Sequence, residues 1–226
     1  MRKIKLAAVL GAGAIFIGAF TTPLMAGSFG IGVSGLGILA ETDGTETLKS
    51  SSVKTTKKGV NGVGAVAAGY LQYTFGDNGF VFGLEKIPGS ATLGSNSVSK
   101  TQLTGTAEAT TGVTQTAKAK ISNHVGAYIE TPSFGGLYLK AGYSEVDLTT
   151  QESLGTGAAY PDATMDGTTI GIGFRGTSES GIHVKFAVER TDFGSVTLKS
   201  TGSDAVTTIN ADVETYGARL SIGYNF

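Results

Sequence analysis

Gly30-Ile31-Gly32-Val33-Ser34-Gly35 reproduces, letter by letter, the glycine fingerprint that seats a dinucleotide pyrophosphate. That chemistry needs a strand before the glycines, a helix opening on them and an acidic residue about 20 positions on. Here the glycines follow a leader-like segment and are followed by more strand pattern, so nucleotide binding is excluded. His124 and His183 are the only histidines. A lipid-modifying hydrolase would need one of them beside a nucleophile, but no Gly-x-Ser-x-Gly elbow and no His-Glu-x-x-His pair is present. Both are expected as polar filler on an inward face. Glu41, Asp43 and Glu46, followed by Lys54, Lys57 and Lys58, could bridge lipid phosphates through divalent cations; a solvated loop of mixed charge is the simpler reading. No cysteine exists, which removes thiolate metal sites and disulfides. No catalytic residue, cofactor site or metal site is assigned.

The elements that must position these residues are strands. After the N-terminal region, apolar residues recur with period two and no sustained helical spacing occurs. Counting back from Phe226, the alternate residues Tyr224, Ile222, Leu220, Ala218 and Tyr216 are apolar, while Asn225, Gly223, Ser221, Arg219 and Gly217 between them are small or polar. The pattern recurs around residues 182–189, 169–175, 137–144, 120–130, 80–85 and 63–75. An eighth strand, about Phe29 to Thr42, changes phase near Gly35, where a bulge or glycine kink is expected. Short turn-like connections at Gly76–Gly79, Pro132–Gly136 and Gly176–Gly181 alternate with four long polar ones. These are about Asp43–Gly59, Pro88–Thr116, Thr149–Asp166 and Gly194–Asn210. The second could be a hairpin extending its flanking strands, but it is too polar to add two spanning strands.

Three features turn the apolar parity outward, toward lipid. The other parity is rich in glycine (Gly64, Gly83, Gly126, Gly142, Gly171, Gly173, Gly217, Gly223), as the narrow interior of an eight-stranded barrel demands. It also carries nearly balanced charge, Glu85, Glu130 and Glu189 against Lys140, Arg175, Lys185 and Arg219, the requirement for burying charge at all. Finally, charge is almost absent from the apolar parity over spans long enough to cross a bilayer. The expected fold is all-β: a closed, up-and-down antiparallel transmembrane β-barrel of eight strands.

The first residues, Met-Arg-Lys-Ile-Lys, are basic, Leu6–Phe20 is uncharged and apolar, and Thr21–Ala26 ends on a small residue. That order predicts a signal peptide over 1–26, directing export, and a single barrel domain over 27–226. Loss of Arg2, Lys3 and Lys5 leaves 14 basic against 18 acidic residues, which excludes a basic nucleic-acid footprint.

The alternating strands and the ending Tyr216-Gly-Ala-Arg-Leu-Ser-Ile-Gly-Tyr-Asn-Phe226 resemble the small outer-membrane β-barrels, of the type of the transmembrane domain of outer membrane protein A and outer membrane protein X. The resemblance implies a location in the outer membrane of a Gram-negative envelope, with outer-membrane lipid and lipopolysaccharide as surroundings. It also implies that Tyr224 and Phe226, at the third-last and last positions, are read by the barrel-assembly machinery. Ser221 stands where that pattern usually has glycine. The function expected is non-enzymatic: a largely filled polar lumen, with envelope integrity and binding of an unnamed surface ligand carried by the external loops. A narrow porin-like channel for small solutes is the alternative.

Overall fold

The computed structural model describes residues 27–48, 54–76, 79–100, 103–104, 107–108, 113–153, 159–201 and 207–226. The segment 1–26, expected to be a signal peptide, lies outside them. The described residues form ten strands: β1 (Gly27–Leu48), β2 (Lys54–Phe75), β3 (Val81–Lys100), β4 (Leu103–Thr104), β5 (Ala107–Glu108), β6 (Val113–Glu130), β7 (Leu137–Ser153), β8 (Ala163–Thr177), β9 (Ile182–Lys199) and β10 (Thr207–Asn225). Eight of them close a barrel in the order β1-β10-β9-β8-β7-β6-β3-β2, every neighbour antiparallel. The pair β4–β5 forms only a two-residue ladder near the tip of the hairpin between β3 and β6.

The barrel closes where β1 meets β10, in unbroken register from Gly30–Asn225 to Leu48–Thr207. The short connections are made by left-handed glycines, among them Gly76 (φ 67°) and Gly181 (φ 86°), where any side chain would be strained. Both ends of the barrel chain sit at this short-turn end: the Phe226 N–H donates to the Phe29 carbonyl at 2.7 Å.

The long connections differ from their sequence reading. At least half of each is strand, not loop, because barrel strands of 15–22 residues run well past the roughly 9–11 that cross a bilayer. Glu41, Asp43 and Glu46 consequently lie on β1 and not in a loop.

The expected kink at Gly35 is absent as well. β1 keeps one parity, with Ser34, Leu36 and Ala40 buried inside and Val33, Gly35 and Leu39 facing out. Its first irregularity comes at Thr42–Gly44. The phase does change in β6, where Asn123 adopts φ 54° and the register with β7 slips between Ser122 and Val125. That bulge turns Ile121 inward, against its apolar reading with Val125, Ala127 and Ile129 on the lipid parity.

The outer wall is an apolar belt: Ile31, Leu71, Leu139, Ile172, Phe186 and Leu220 are all more than 40% exposed. Water would penalise so continuous an apolar surface. In lipid it is the stable arrangement, and closure satisfies the backbone. Aromatic rings crowd the short-turn edge, where Phe29, Tyr73 and Phe75 stack edge to face and Tyr224 lies 5.3 Å from Phe226. Toward the opposite edge the outward apolar rows end at Glu41, Lys86, Glu145, Asp166, Arg190 and Glu214. Just above that edge, hydrogen bonds from Arg190 hold the Glu214 carboxyl below its usual range.

Candidate functional site

Inside the short-turn half, the cross-strand register pairs a glycine with each large ring. Gly32 faces Tyr70, Gly83 faces Tyr128, Gly173 faces Tyr138 and Gly223 faces His183. A Cβ on Gly83 would fall 2.2 Å from the Tyr128 ring, and one on Gly223 2.6 Å from His183. The inward glycines therefore make room for rings lying across the lumen.

Those rings separate two ionic clusters that contain all seven inward charges named from the sequence. In the lower cluster the Lys185 ammonium reaches Glu130 at 2.8 and 2.9 Å and Gln72 at 2.6 Å, while Arg175 Nη1 donates to Glu130 at 3.0 Å. In the upper cluster Arg219 binds Glu189 through Nη2 at 2.6 Å and Nε at 3.0 Å, and Glu85 through Nη1 at 3.0 Å. Lys140 completes it, 2.9 Å from Glu189 and 3.9 Å from Glu85. The Tyr128 ring lies between the clusters, 4.8 Å from the Lys140 ammonium and 5.7 Å from that of Lys185. Between the clusters, the cavity lined by Tyr128, Glu85, Glu130, Lys140, Lys185 and Arg219 measures only about 10 Å³. A single water needs roughly 10–15 Å³ by the same kind of measure.

The sequence reading did not single out Tyr70, Gln72, Tyr128, Tyr138 or Ser34, which complete this layer. Their signal was available as large polar residues on the glycine-rich parity.

The two histidines do not meet. His183, buried near the short-turn end, shares a 2.7 Å hydrogen bond between Nε2 and Tyr70 Oη. His124 stands in the upper cluster with Nε2 3.9 Å from Glu85. Neither has a serine, threonine or cysteine hydrogen-bonded to it among the described residues, the geometry nucleophilic catalysis requires. Two of the three carboxylates of β1 stand opposite other carboxylates, Glu41 opposite Glu214 and Asp43 opposite Asp212, and the third, Glu46, stands opposite Ile209. Among the described residues no group of three such side chains could hold a metal ion.

The other half of the interior departs from the expected polar lumen. Above the ionic layer the inward residues become apolar: Val146, Leu148, Met165, Phe193, Val196 and Leu198 form a buried core within the strand extensions. Leu36, Ile38, Val66 and Ile87 line the boundary between the two halves.

One wall is incomplete at that boundary. β2 and β3 pair only from Thr74–Val81 to Gly69–Lys86, and among the described residues Val63–Ala68 has no partner on β3. Pro88 lacks an N–H to offer, and the bulge between Ile87 and Ser90 turns β3 away. A sideways seam results, exposing Pro88, Gly89 and Ser90.

No protein-family model and no curated protein sequence matches the chain. Solved structures do. The crystal structure of the outer membrane protein OprG from Pseudomonas aeruginosa aligns over 89% of this chain and 97% of its own, at 12% identity and TM-score 0.51. The solid-state NMR structure of the outer membrane protein AlkL in DMPC lipid bilayers aligns over 91% and 93%, at 11% identity and TM-score 0.55. The fold is shared: a closed eight-stranded membrane barrel.

Proposed function

We propose that this chain is a non-enzymatic outer-membrane barrel, closed across its lumen, that supports the envelope and presents rigid strand hairpins outside the cell. The ionic layer carries this reading. Seven charged side chains and three tyrosines fill the cross-section, and the cavity between the two clusters measures about 10 Å³, too little for a water file. Tyr224 and Phe226 then serve as the assembly signal, the short turns face the periplasm, and the hairpins meet lipopolysaccharide and any surface ligand. Heat-modifiable mobility of protein extracted from the outer-membrane fraction tests the location. Recovery in the soluble periplasm, with unchanged mobility after boiling, overturns it.

The β2–β3 seam supports a second reading: a sideways passage for small solutes between the external side and the membrane. Backbone groups left unpaired at the height of the apolar belt are costly, so the seam has to hold water or a guest. Swelling of proteoliposomes separates this from a porin-like channel. Swelling driven by sugars would favour the porin, because a sideways passage bypasses the sealed lumen without opening it to them.

A further inference from the structure

Lys86 is the lowest of the six charges that end the outer apolar rows. It stands six residues from Phe80, where the outward row of its strand begins. The other five stand eight or twelve residues from the start of theirs, as Arg190 does from Ile182 and Glu41 from Phe29. At ~3.3 Å per residue and a tilt of about 40°, six residues climb about 15 Å, past the middle of a ~25 Å apolar band but still inside it. A cation facing lipid at that depth is costly and marks a site where it has a partner. Arg190 has one, since it is bonded to Glu214 and lies over the Tyr216 ring. Lys86 is exposed, and no hydrogen bond, ion pair or ring contact reaches it among the described residues. Its register neighbours are Val125 and Gly69, the last residue of β2 paired before the seam; Glu145, the next outward carboxylate on that row, lies beyond Val125.

The seam adds donors and a shelf beside this cation. Successive residues of an antiparallel strand turn their backbone groups to opposite neighbours, so half of Val63–Ala68 aims its N–H and C=O at the gap. On the lipid side, Gly35 stands opposite Ala67 and Gly37 opposite Ala65, and with Gly69 they leave a smooth exposed strip along β1 and β2. A Cβ added at Gly35 or Gly69 would meet nothing within 4 Å. An uncommitted ammonium, spare N–H donors and an apolar strip together match an anionic head on an acyl chain. The depth of Lys86 selects the head. A carboxylic acid can reach it protonated and ionise there, its proton leaving to water at the outer mouth of the seam, whereas a phosphodiester keeps its charge and pays to enter the band. We propose that the foot of the seam binds a long-chain carboxylic acid, its carboxylate on Lys86 and the β2 edge and its chain on the strip of small residues. The inference uses the open wall, not the passage of solutes through it.

Palmitic acid and hexadecanol test it, since they share a chain and differ at the head. The protein, with isotope-labelled lysine side-chain nitrogens, is reconstituted in phosphatidylcholine vesicles with palmitic acid labelled at its carboxyl carbon. Solid-state NMR is expected to show a direct contact between that carbon and a lysine Nζ. The contact should vanish in Lys86→Gln, which removes a lipid-facing charge and leaves the interior intact, and persist in Lys120→Gln. In titrations, Lys86→Gln is expected to bind palmitic acid about ten-fold more weakly, the value of one charge-assisted hydrogen bond, and hexadecanol as before. Ala67→Trp crowds the strip and should weaken both probes. Phosphatidylglycerol should not displace the acid. A contact that survives Lys86→Gln, or equal losses for acid and alcohol in that variant, overturns the head site. Unchanged binding of both probes to Ala67→Trp overturns the place of the chain, and displacement by phosphatidylglycerol at equal concentration overturns the choice of a carboxylic acid.

Discussion

Replacing Arg219 by methionine removes the one side chain that hydrogen-bonds both carboxylates of the upper cluster. Three of its nitrogens are engaged: Nε and Nη2 with Glu189 at 3.0 and 2.6 Å, and Nη1 with Glu85 at 3.0 Å and Ser34 at 2.9 Å. In the Arg219→Met protein, Glu85 and Glu189 are left facing each other with Lys140 as their shared cation, 3.9 and 2.9 Å away. Removing one partner of a buried ion pair costs about 3–5 kcal/mol, because the remaining charge stays desolvated and uncompensated. Urea titration of the barrel in phospholipid vesicles, with the folded fraction read from unboiled gels, is expected to show a loss of that size. Arg219→Lys, which keeps the charge but cannot make the fork of contacts, should fall between. Converting the cluster together (Glu85→Gln, Glu189→Gln, Lys140→Met, Arg219→Met) should recover much of the loss, since no charge is then left unpaired. Arg190→Met removes an ion pair with Glu214 that faces solvent above the belt, and should leave the midpoint where it is. A loss below about 1 kcal/mol for Arg219→Met, the size of an ordinary hydrogen bond, would refute the buried cluster.

The glycines supply a contrast between the two faces. Gly83→Val, which drives a side chain into the Tyr128 ring, should destabilise by about 1–3 kcal/mol or block folding, whereas Gly35→Ala, with open space outside, should be neutral on the same gels. Asn123→Val, whose branched side chain opposes the left-handed backbone, should lower the folding yield, because losing the bulge at unchanged length would exchange Ile121 for Lys120 on the inner wall; Asn123→Gly tolerates that backbone and should fold. Phe193→Ala opens the core of the strand extensions and should cost about 3–5 kcal/mol there. Limited proteolysis should then cut the external hairpins while the membrane-embedded half resists.

Period two and a glycine-rich inner parity are local properties, so the closed barrel and its lipid-facing wall could be read residue by residue from stretches such as Tyr216–Phe226. What could not be read depends on partners distant in sequence. Gly83 and Tyr128 lie 45 positions apart, and only the register of β3 against β6 shows that one makes room for the other. Asn123 adds a single residue to β6, so counting by twos places Ile121 with Val125, although the bulge turns it inside. Leu36 and Ile38 suggest a change of phase only if the lumen is polar throughout. The strand continues straight, and the interior itself changes from ionic to apolar at that height. The extensions were hidden for a related reason. Their outer faces meet water, so Thr, Ser and Asp replace the apolar row that marks a strand in lipid. The seam, finally, has one local sign, Pro88, and a proline alone does not say that the wall is open beside it.

The central claim is a membrane barrel shut by its own ion pairs, and planar-bilayer recording of the reconstituted protein meets it most directly. The wild type is expected to give no stable conductance steps, and Arg219→Met, with an uncompensated acidic lumen, to leak cations if it leaks at all. A steady, large conductance through the wild-type barrel would contradict the account.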